Sequence, residues 1–428
     1  MKQLLSIIAV LVLFSACRKS HSDDPEVPVR RTVIVYMAGE NNLTSYAQSD
    51  IEEMIQGAKG MGNDCRLLIF VDRASATEKP FLARITGDSK QPIDTLYKYP
   101  ADFYTADAQR FQEILSRARA LCPAQDYGLV LWGHANGWII RSDSATNTPT
   151  YAPRRAYGVD SGNNTSSISG RWMNIPSMAK ALQELGIKFK FILSDCCNMQ
   201  NIETAYELRK YADYLIGSPA EITGSGAPYD KVVKDFFLTD DEQLYKGICD
   251  DYHAQVDLVG GHLPINVIKT DCLEQLANAT RKVLPLIATN LPKDDFDKGH
   301  IYYYCMIKSD GWSYIYPKEE KTLYDMNDII RWGLADNVAA YEEWHTALSN
   351  AVIYNKMSTY WHANSIQSDN ASKTFVDFTV TTENYGGVSM FFPLTKYDTS
   401  KNLNLYNYNQ DIKKMQWYYA VGWSEVDW

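Results

Sequence analysis

The sequence predicts an α/β protein with a mostly parallel sheet covered by helices on both faces. Strand signals and helix signals alternate from residue 31 to residue 217, which is the pattern of βαβ units. Two apolar runs of strand length end abruptly in residues that carry chemistry. In addition, 45% of the 428 residues are hydrophobic and 12% are aromatic, which is enough to fill a core. We therefore expect a folded globular chain with its chemistry at strand ends.

Apolar residues recur at strand or helix spacing in nine successive segments of the first half. The predicted strands are 32–37, 65–71, 127–132, 188–193 and 214–217, and the predicted helices are 46–57, 108–120, 176–185 and 201–210. We assign these elements to a core at 31–235. Further strands are predicted at 263–269 and 389–393, with helices at 272–291 and 335–351. The region 236–428 is therefore expected to be a mixed α/β extension, mostly helical with added strands.

The strand at 188–193 leads directly to an acid and two adjacent thiols, Asp195, Cys196 and Cys197. A helical pattern follows from residue 201. Backbone N–H groups at a helix N-terminus favour negative charge, so a thiol near this junction would be held partly as thiolate. A buried cysteine pair in the core is the competing interpretation, because cysteine is among the most buried residue types.

A second strand of the same kind ends in a histidine. The apolar run 127–132 is followed by Gly133 and His134 in a polar turn. If this strand and the cysteine strand are parallel neighbours, both side chains emerge at one edge of the sheet. His134 and Cys197 would then face each other as a general base and a thiol nucleophile.

These two junctions resemble the clostripain family of cysteine endopeptidases, relatives of the caspase, gingipain and legumain group. The matching segments are 131–134, 195–199, 33–43, 216–221 and 385–393, so the resemblance is good over 31–230 and sparse beyond it. It implies a caspase-like fold and a cysteine endopeptidase. It also aligns Cys197 with the nucleophile and Cys196 with the family's usual alanine.

The resemblance also implies how the site would work. His134 and Cys197 form a dyad without a third orienting residue, and backbone N–H groups near Gly133, Ala135 and Cys197 stabilise the oxyanion. Asp195 would point toward a pocket for a basic substrate residue. Ser225 stands where relatives carry an aspartate in that pocket, and a serine supplies no charge. We expect cleavage after Arg or Lys, with a weakened or altered preference as the alternative and Glu221 as a substitute acid.

A long polar insert, about 142–170, separates the histidine strand from the cysteine strand. Family members are made as precursors and cut in this interval. Arg154 and Arg155 are the main processing candidates, with Arg141 and Arg171 as lesser ones. A nicked two-chain form and an uncut surface loop both remain open.

The chain begins with Lys2, an apolar run at 4–14, and Ser15-Ala16-Cys17. This is the pattern of a secretory signal, and small residues before a cysteine resemble a bacterial lipoprotein cleavage site. We expect a signal peptide at 1–17, lipid on Cys17, a flexible tether at 18–30, and export to the outer membrane or cell surface. An ordinary secreted protein without the lipid is the alternative.

Charge and motif content disfavour other classes. The net charge is −10 and no basic cluster has interleaved aromatics, so we expect no nucleic-acid partner. No motif has the spacing of a zinc or calcium site, so no cofactor is expected, although relatives of this family include calcium-stimulated enzymes. We expect a monomer that acts on peptides or proteins. A catalytically silent surface lipoprotein that binds peptides or proteins is the alternative function, suggested by Ser225.

Overall fold

The fold is taken from a computed structural model, which describes residues 28–140, 156–162, 170–255, 262–293, 301–309, 318–363, 374–377, 380–397 and 407–426. The predicted signal peptide with Cys17 and most of the tether lie outside the described residues, as do Arg141, Arg154 and Arg155. Within those ranges, no helix combines the length and apolarity that crossing a membrane requires.

The first half of the chain alternates strands and helices as predicted. Its strands are β1 (Val29–Gly39), β2 (Cys65–Arg73), β3 (Phe81–Ile85), β4 (Ile93–Lys98), β5 (Ala124–Trp132), β6 (Tyr157–Asp160), β7 (Arg171–Met173), β8 (Phe189–Asp195) and β9 (Ala212–Gly217). Its helices are α1 (Thr44–Gly57), α2 (Ala108–Leu121), α3 (Ile175–Leu185), α4 (Ile202–Leu208) and α5 (Tyr229–Asp235). All nine elements predicted for this half are confirmed, with boundaries shifted by a few residues.

The second half adds helices and shorter strands. Its helices are α6 (Asp241–His253), α7 (Leu273–Asn290), α8 (Met326–Gly333), α9 (Val338–Ala351), α10 (Tyr408–Asp411) and α11 (Gln416–Ala420). Its strands are β10 (Ile265–Lys269), β11 (Tyr303–Ser309), β12 (Lys318–Asp325), β13 (Val352–Lys356), β14 (Tyr360–Ala363), β15 (Thr374–Asp377) and β16 (Ser389–Met390).

One nine-stranded sheet, in the order β13-β10-β9-β8-β5-β1-β2-β3-β4, organises these elements. Its five central strands, β9, β8, β5, β1 and β2, are parallel to their neighbours within this group. Two antiparallel strands extend the sheet at each side. Because β10 and β13 come from the second half, the predicted boundary at residue 235 does not interrupt the sheet.

Two separate hydrophobic clusters cover the two faces of the sheet. On β1, Val33 and Val35 pack in a cluster with residues of α1, α5 and α6. Ile34 and Tyr36 belong to the opposite cluster, with residues of α2, α3, α4, α7 and α9. This alternation follows from the period of two along a strand, and it confirms the prediction of helices on both faces.

Two features of the fold differ from the sequence analysis. The hairpin of β3 and β4 was not predicted, because its outer strand is half exposed and carries several polar residues. The polar insert contains a fully buried strand, β6, which pairs with β7. Tyr157 on β6 donates its hydroxyl to the carbonyls of Tyr36 and Trp132, so this part of the insert is fixed against the main sheet.

Candidate active site

The two predicted junctions lie side by side. β5 and β8 are parallel neighbours with Trp132 paired to Asp195, and the Gly133 N–H donates to the Asp195 carbonyl at 3.4 Å. His134 and Cys197 each follow this last register pair by two positions. The condition set by the sequence is therefore confirmed: both residues leave the sheet at the same edge, from adjacent strands.

The chain turns sharply immediately after Cys197. Asn198 has a left-handed backbone with φ of 55°, which asparagine tolerates better than most residues. The turn is held by a hydrogen bond from the Asn198 N–H to the Ala220 carbonyl at 2.9 Å. From the C-terminal region, the Ser389 N–H donates to the Gln200 carbonyl at 3.2 Å. The segment 385–393 thus packs behind the cysteine turn.

The helix after the cysteine starts later than predicted. α4 begins at Ile202, and the Asn201 side chain already accepts the N–H of Thr204 at 2.9 Å. Four residues of turn separate Cys197 from this seven-residue helix. Cys197 therefore lies near a strand-to-helix junction, as predicted, and the turn separates its thiol from the helix N-terminus.

The adjacent thiols occupy different environments. Cys196 is fully buried in a core cluster, and that burial raises its pKa well above the ordinary value for a thiol. Cys197 is half-buried. A nucleophile must be reached by substrate and must ionise, so the structure favours Cys197 over Cys196 on physical grounds. All seven cysteines in the described part of the chain are free thiols.

Two hydrogen bonds hold the histidine turn. The His134 Nε2 lies 2.6 Å from the Asn42 Oδ1, and the His134 carbonyl accepts the Gly158 N–H at 2.8 Å. Gly133, just before the histidine, has φ of 139°, and a Cβ there would lie 3.0 Å from the Ala38 carbonyl oxygen. Glycine is therefore needed for the strand to turn here. Asn42 was not identified from the sequence, because it follows β1 and is 92 residues from the histidine.

The two backbone N–H groups predicted to bind the oxyanion differ in their hydrogen bonds. The Gly133 N–H already donates to the Asp195 carbonyl, so the structure commits it to the sheet. An oxyanion would have to displace this hydrogen bond, and the role of Gly133 as an oxyanion donor stays a prediction. The Ala135 N–H makes no hydrogen bond within the described residues. Ala135 therefore keeps the predicted role.

The segment Glu221 to Ala227 borders the thiol. The Ile222 N–H donates to the Cys197 Sγ at 3.4 Å, and the Ile222 carbonyl oxygen lies 3.9 Å from the same sulfur. This segment follows β9, the strand beside the cysteine strand. It therefore forms the wall of the site next to Cys197.

Asp195 lies beneath this wall. It is 2% exposed, and its oxygens accept the Tyr229 hydroxyl at 2.7 Å, the Tyr252 hydroxyl, and the Ala227 N–H at 3.0 Å. Burial raises its pKa, and these donors act in the opposite direction. A Cβ on Gly226 would lie 2.7 Å from the Asp195 Oδ2, so the wall approaches the carboxylate closely. Contact between Asp195 and a substrate cation stays a prediction, and it requires a tyrosine hydroxyl to turn away.

Ser225 and Glu221 lie in the same wall. Ser225 is exposed, and its Oγ lies 2.9 Å from the Thr223 Oγ1 and accepts the Gln255 side chain at 3.0 Å. Glu221 is half-buried and immediately precedes Ile222, which contacts the thiol. Glu221 is therefore the acidic residue closest in sequence to that contact.

One group of side chains in the described ranges has the arrangement of a metal site. Glu40, Asp72 and Asp102 each offer a carboxylate oxygen, and these oxygens lie within 4.8 Å of one another. The sequence analysis missed this group, because its members come from three separate segments with no motif spacing.

Comparison with known proteins identifies the relatives of this fold. The chain matches the clostripain family over residues 35–428. Clostripain of Hathewaya histolytica is 26% identical over 226 residues, which is 47% of this chain and 41% of that protein. The chain thus aligns with about two fifths of the length of this curated relative.

Two solved structures match nearly the whole chain. A secreted C11 cysteine protease from Bacteroides thetaiotaomicron, in complex with an irreversible peptide inhibitor, has a TM-score of 0.71 and 28% identity, covering 93% of this chain and 100% of that chain. An inactive zymogen C11 protease from Parabacteroides distasonis has a TM-score of 0.65 and 25% identity, covering 92% and 99%. With the family match over almost its whole length, this chain belongs to the clostripain family of cysteine peptidases.

Proposed function

We propose that this protein is a cysteine endopeptidase that cleaves peptide bonds with Cys197 as nucleophile and His134 as acid and base. The observation that carries the proposal is the parallel pairing of β5 and β8, from which both residues leave at one edge of the sheet. The partial exposure of Cys197 beside the buried Cys196 supports this choice of nucleophile.

The proposed reaction is acyl transfer in two steps. The Cys197 thiol gives its proton to His134, and the sulfur forms a bond to the peptide carbonyl carbon. The Ala135 N–H is the proposed donor to the resulting oxyanion. His134 then returns the proton to the leaving amine, and the C–N bond breaks to give a thioester. Water, deprotonated by His134, attacks the thioester and releases the carboxylic acid product and the free thiol.

Asn42 orients the histidine in this scheme. With its Nε2 proton donated to the Asn42 Oδ1, the imidazole has a fixed tautomer, and its other nitrogen carries the proton transfer. Asn42 therefore acts as a positioning residue from the turn that follows β1, the neighbour of β5 in the sheet.

Cleavage of a positional peptide library tests the proposal. The chain from residue 18 onward should cleave peptides, and its Cys197→Ala variant should not. Cys196→Ala is the matched control, because it removes the neighbouring thiol from a buried position. Absence of cleavage by the folded protein, together with no selective alkylation of Cys197, would favour the alternative of a peptide-binding lipoprotein.

We further propose that the substrate residue before the cleaved bond is Arg or Lys. Two acids support this, the buried Asp195 and the half-buried Glu221, while the exposed Ser225 at the family's usual aspartate position adds no charge. A single buried carboxylate gives a weaker pocket than one with two acids.

Specificity is tested by adding and removing charge in this wall. Ser225→Asp should raise kcat/KM for Arg and Lys peptides relative to norleucine peptides, and Ser225→Asn is the uncharged control of similar size. Glu221→Gln should lower the same ratio if Glu221 contributes. An unchanged ratio in both charge variants would contradict a basic preference set by this wall.

Self-processing is proposed after Arg154 or Arg155. Two contacts support it: Ala156 and β6 directly follow these arginines and are buried, and Gly158 donates to the His134 carbonyl. The new chain end produced by a cut there would stay anchored beside the histidine. The Arg154→Ala/Arg155→Ala variant should remain a single chain in denaturing electrophoresis, whereas the active parent should yield two; two chains from the Cys197→Ala variant would contradict self-cleavage.

Export as a lipoprotein is proposed from the leader pattern at 1–17, and the similarity to a secreted C11 cysteine protease supports export. The full-length chain should partition into the detergent phase and incorporate labelled fatty acid. Cys17→Ser should abolish the labelling. Labelling that persists in this variant would contradict lipid attachment at Cys17.

A further inference from the structure

Two histidines form a close pair between α6 and β10. His253 is the last residue of α6, and His262 stands three residues before β10. Their rings are nearly parallel, with centroids 5.0 Å apart and planes inclined by 28°. His253 is half-buried and His262 is exposed. Neither residue takes part in the proposed reaction.

Backbone carbonyls bind the Nδ1 atoms of both histidines. The His253 Nδ1 lies 2.7 Å from the Leu263 carbonyl oxygen, and the His262 Nδ1 lies 2.9 Å from the His253 carbonyl oxygen. A carbonyl oxygen only accepts hydrogen bonds, so each Nδ1 carries a proton and donates it. In the neutral form of each ring, the Nε2 therefore carries the lone pair. Neither Nε2 makes a hydrogen bond with a residue that the structure describes.

This arrangement is the one that metal-binding histidines adopt. Such histidines donate one ring N–H to a carbonyl or carboxylate, which fixes the tautomer and leaves the other nitrogen for the metal. Burial is the largest cause that lowers the pKa of His253, and the neighbouring His262 acts in the same direction. The neutral ring, which is the form that binds a metal ion, is therefore favoured at His253.

We propose that the Nε2 atoms of His253 and His262 bind one Zn²⁺ ion, with water in the remaining positions. Around a tetrahedral Zn²⁺ with Zn–N distances of about 2.0 to 2.1 Å, the centres of two imidazole rings lie about 5 Å apart. The observed separation of 5.0 Å matches this geometry. Imidazole suits Zn²⁺, whereas Ca²⁺ and Mg²⁺ prefer oxygen ligands. Asp250, one turn earlier on α6, already bonds to Lys356 and Tyr354 and is not counted as a ligand.

The histidine pair adjoins the part of α6 that supports the wall beside the thiol. Tyr252 donates its hydroxyl to Asp195, and the Gln255 side chain donates to the Ser225 Oγ at 3.0 Å. His253 lies between these two donors in the sequence. An ion that joins the end of α6 to the segment before β10 would therefore order the wall and strengthen peptide binding. This consequence rests on the proposed peptide site, whereas the metal site itself does not.

Calorimetry on the Cys197→Ala protein tests metal binding apart from activity and from the accessible thiol. Titration with ZnCl₂ should show a site whose affinity His262→Ala lowers by about tenfold or more. His345→Ala is the control, because it removes a half-buried histidine that lies on α9 and contacts the ring of Tyr341. Absence of a zinc site in the parent, or equal weakening by His345→Ala, would overturn the proposal.

Thermal unfolding separates a metal ligand from a ring that is only stacked. Zn²⁺ should raise the Tm of the Cys197→Ala protein and leave that of its His262→Ala variant nearly unchanged. In EDTA the two proteins should have similar Tm values, because His262 is exposed. Equal shifts of Tm by Zn²⁺ in the two proteins would overturn the assignment of His262 as a ligand.

Binding of a fluorescent arginine-containing peptide to the Cys197→Ala protein tests the consequence for the wall. Zn²⁺ should lower the Kd about fivefold, and His262→Ala should abolish this effect. An unchanged Kd, with Zn²⁺ shown to bind by calorimetry, would overturn the coupling to the wall. Absence of peptide binding at every Zn²⁺ concentration would contradict the proposed function, and the calorimetric result would still decide the metal site.

Discussion

Two places on one edge of the sheet can be compared: the junction of β5 with β8 and the junction of β1 with β2. Both collect polar residues where parallel strands end. At the first, Cys197 and His134 are partly accessible, and at the second Glu40 and Asp72 are buried. The same strand geometry therefore supports a nucleophile where the side chains can be reached, and a charge cluster where they are enclosed.

The same contrast between accessible and buried side chains is found within the junction of β5 with β8. Cys197 is half-buried beside the segment Glu221 to Ala227, whereas Cys196 is buried in the core, although both follow the end of β8. Asp195, one position earlier, is covered by Gly226 and held by two tyrosines. Of these three consecutive residues only Cys197 is partly exposed, so residue type alone does not define the site.

The largest expected effect distinguishes the two adjacent thiols. Cys197→Ala should lower kcat/KM by about 1,000-fold or more, since it removes the nucleophile. Cys196→Ala should keep most of the activity and lower the free energy of unfolding by about 1 kcal/mol, through lost core packing. Peptide cleavage and urea unfolding measure the two effects. A reversal, with Cys196→Ala inactive and Cys197→Ala active, would contradict the account.

The next effect concerns the histidine and its asparagine. His134→Ala should lower kcat/KM by about 100-fold to 10,000-fold, because the proton transfers lose their carrier. Asn42→Ala should lower it less, by about tenfold to 100-fold, because the imidazole is only misplaced. The pH profile of kcat/KM should also shift in Asn42→Ala. A normal profile with normal activity would show that the contact at 2.6 Å does not orient the histidine.

The third effect concerns the hydroxyl groups that donate hydrogen bonds to the buried Asp195 and stabilise the fold. Tyr252→Phe removes one hydroxyl from a fully enclosed carboxylate, so it should lower the free energy of unfolding by about 1 to 3 kcal/mol. Tyr245→Phe is the matched control, because Tyr245 lies on the same helix and does not contact Asp195. Equal stability of the two variants in urea titrations would contradict the burial described for Asp195.

The last effect concerns Asp50, a buried acid on α1. Burial and the nearby charge of Asp195 raise its pKa to about 8. A raised carboxyl pKa stabilises the fold at low pH, and that contribution is lost as the pH rises from about 4 toward about 8. Asp50→Asn should therefore gain stability relative to the parent as the pH rises from 5 to 8, by about 1.4 kcal/mol for each pH unit. A constant difference across this range would contradict the raised pKa.

The central strands and helices were predictable because each is a long, regular pattern. Parallel strands buried on both faces are continuous apolar runs, as at Val33 to Met37 and at Leu129 to Trp132. The hairpin of β3 and β4 lacks such a run, since most of β4 is only partly buried. The joining of β10 and β13 to the main sheet depends on long-range pairing, which local patterns do not encode.

The candidate site, like the fold, was predictable only in part. His134 and Cys197 stand directly after apolar strands, so sequence order and the family resemblance locate them. The surroundings of Asp195, which ends a strand, depend on Tyr229 and Tyr252. These two residues are 34 and 57 positions away, on two different helices. Glu40, Asp72 and Asp102 likewise come from three separate segments of the chain, and Asn42 is 92 residues from His134. Contacts of this kind follow from the packed fold and have no spacing in the sequence.

The most direct test of the central claim is to map the adduct of a peptidyl chloromethylketone by mass spectrometry. The wild-type protein should carry one adduct per chain on Cys197 near neutral pH, and labelling should be much slower in His134→Ala, because the thiol is no longer activated. The buried Cys196 should stay unmodified in both proteins. An adduct on another cysteine, or equal labelling rates in the wild type and His134→Ala, would contradict a dyad of these two residues.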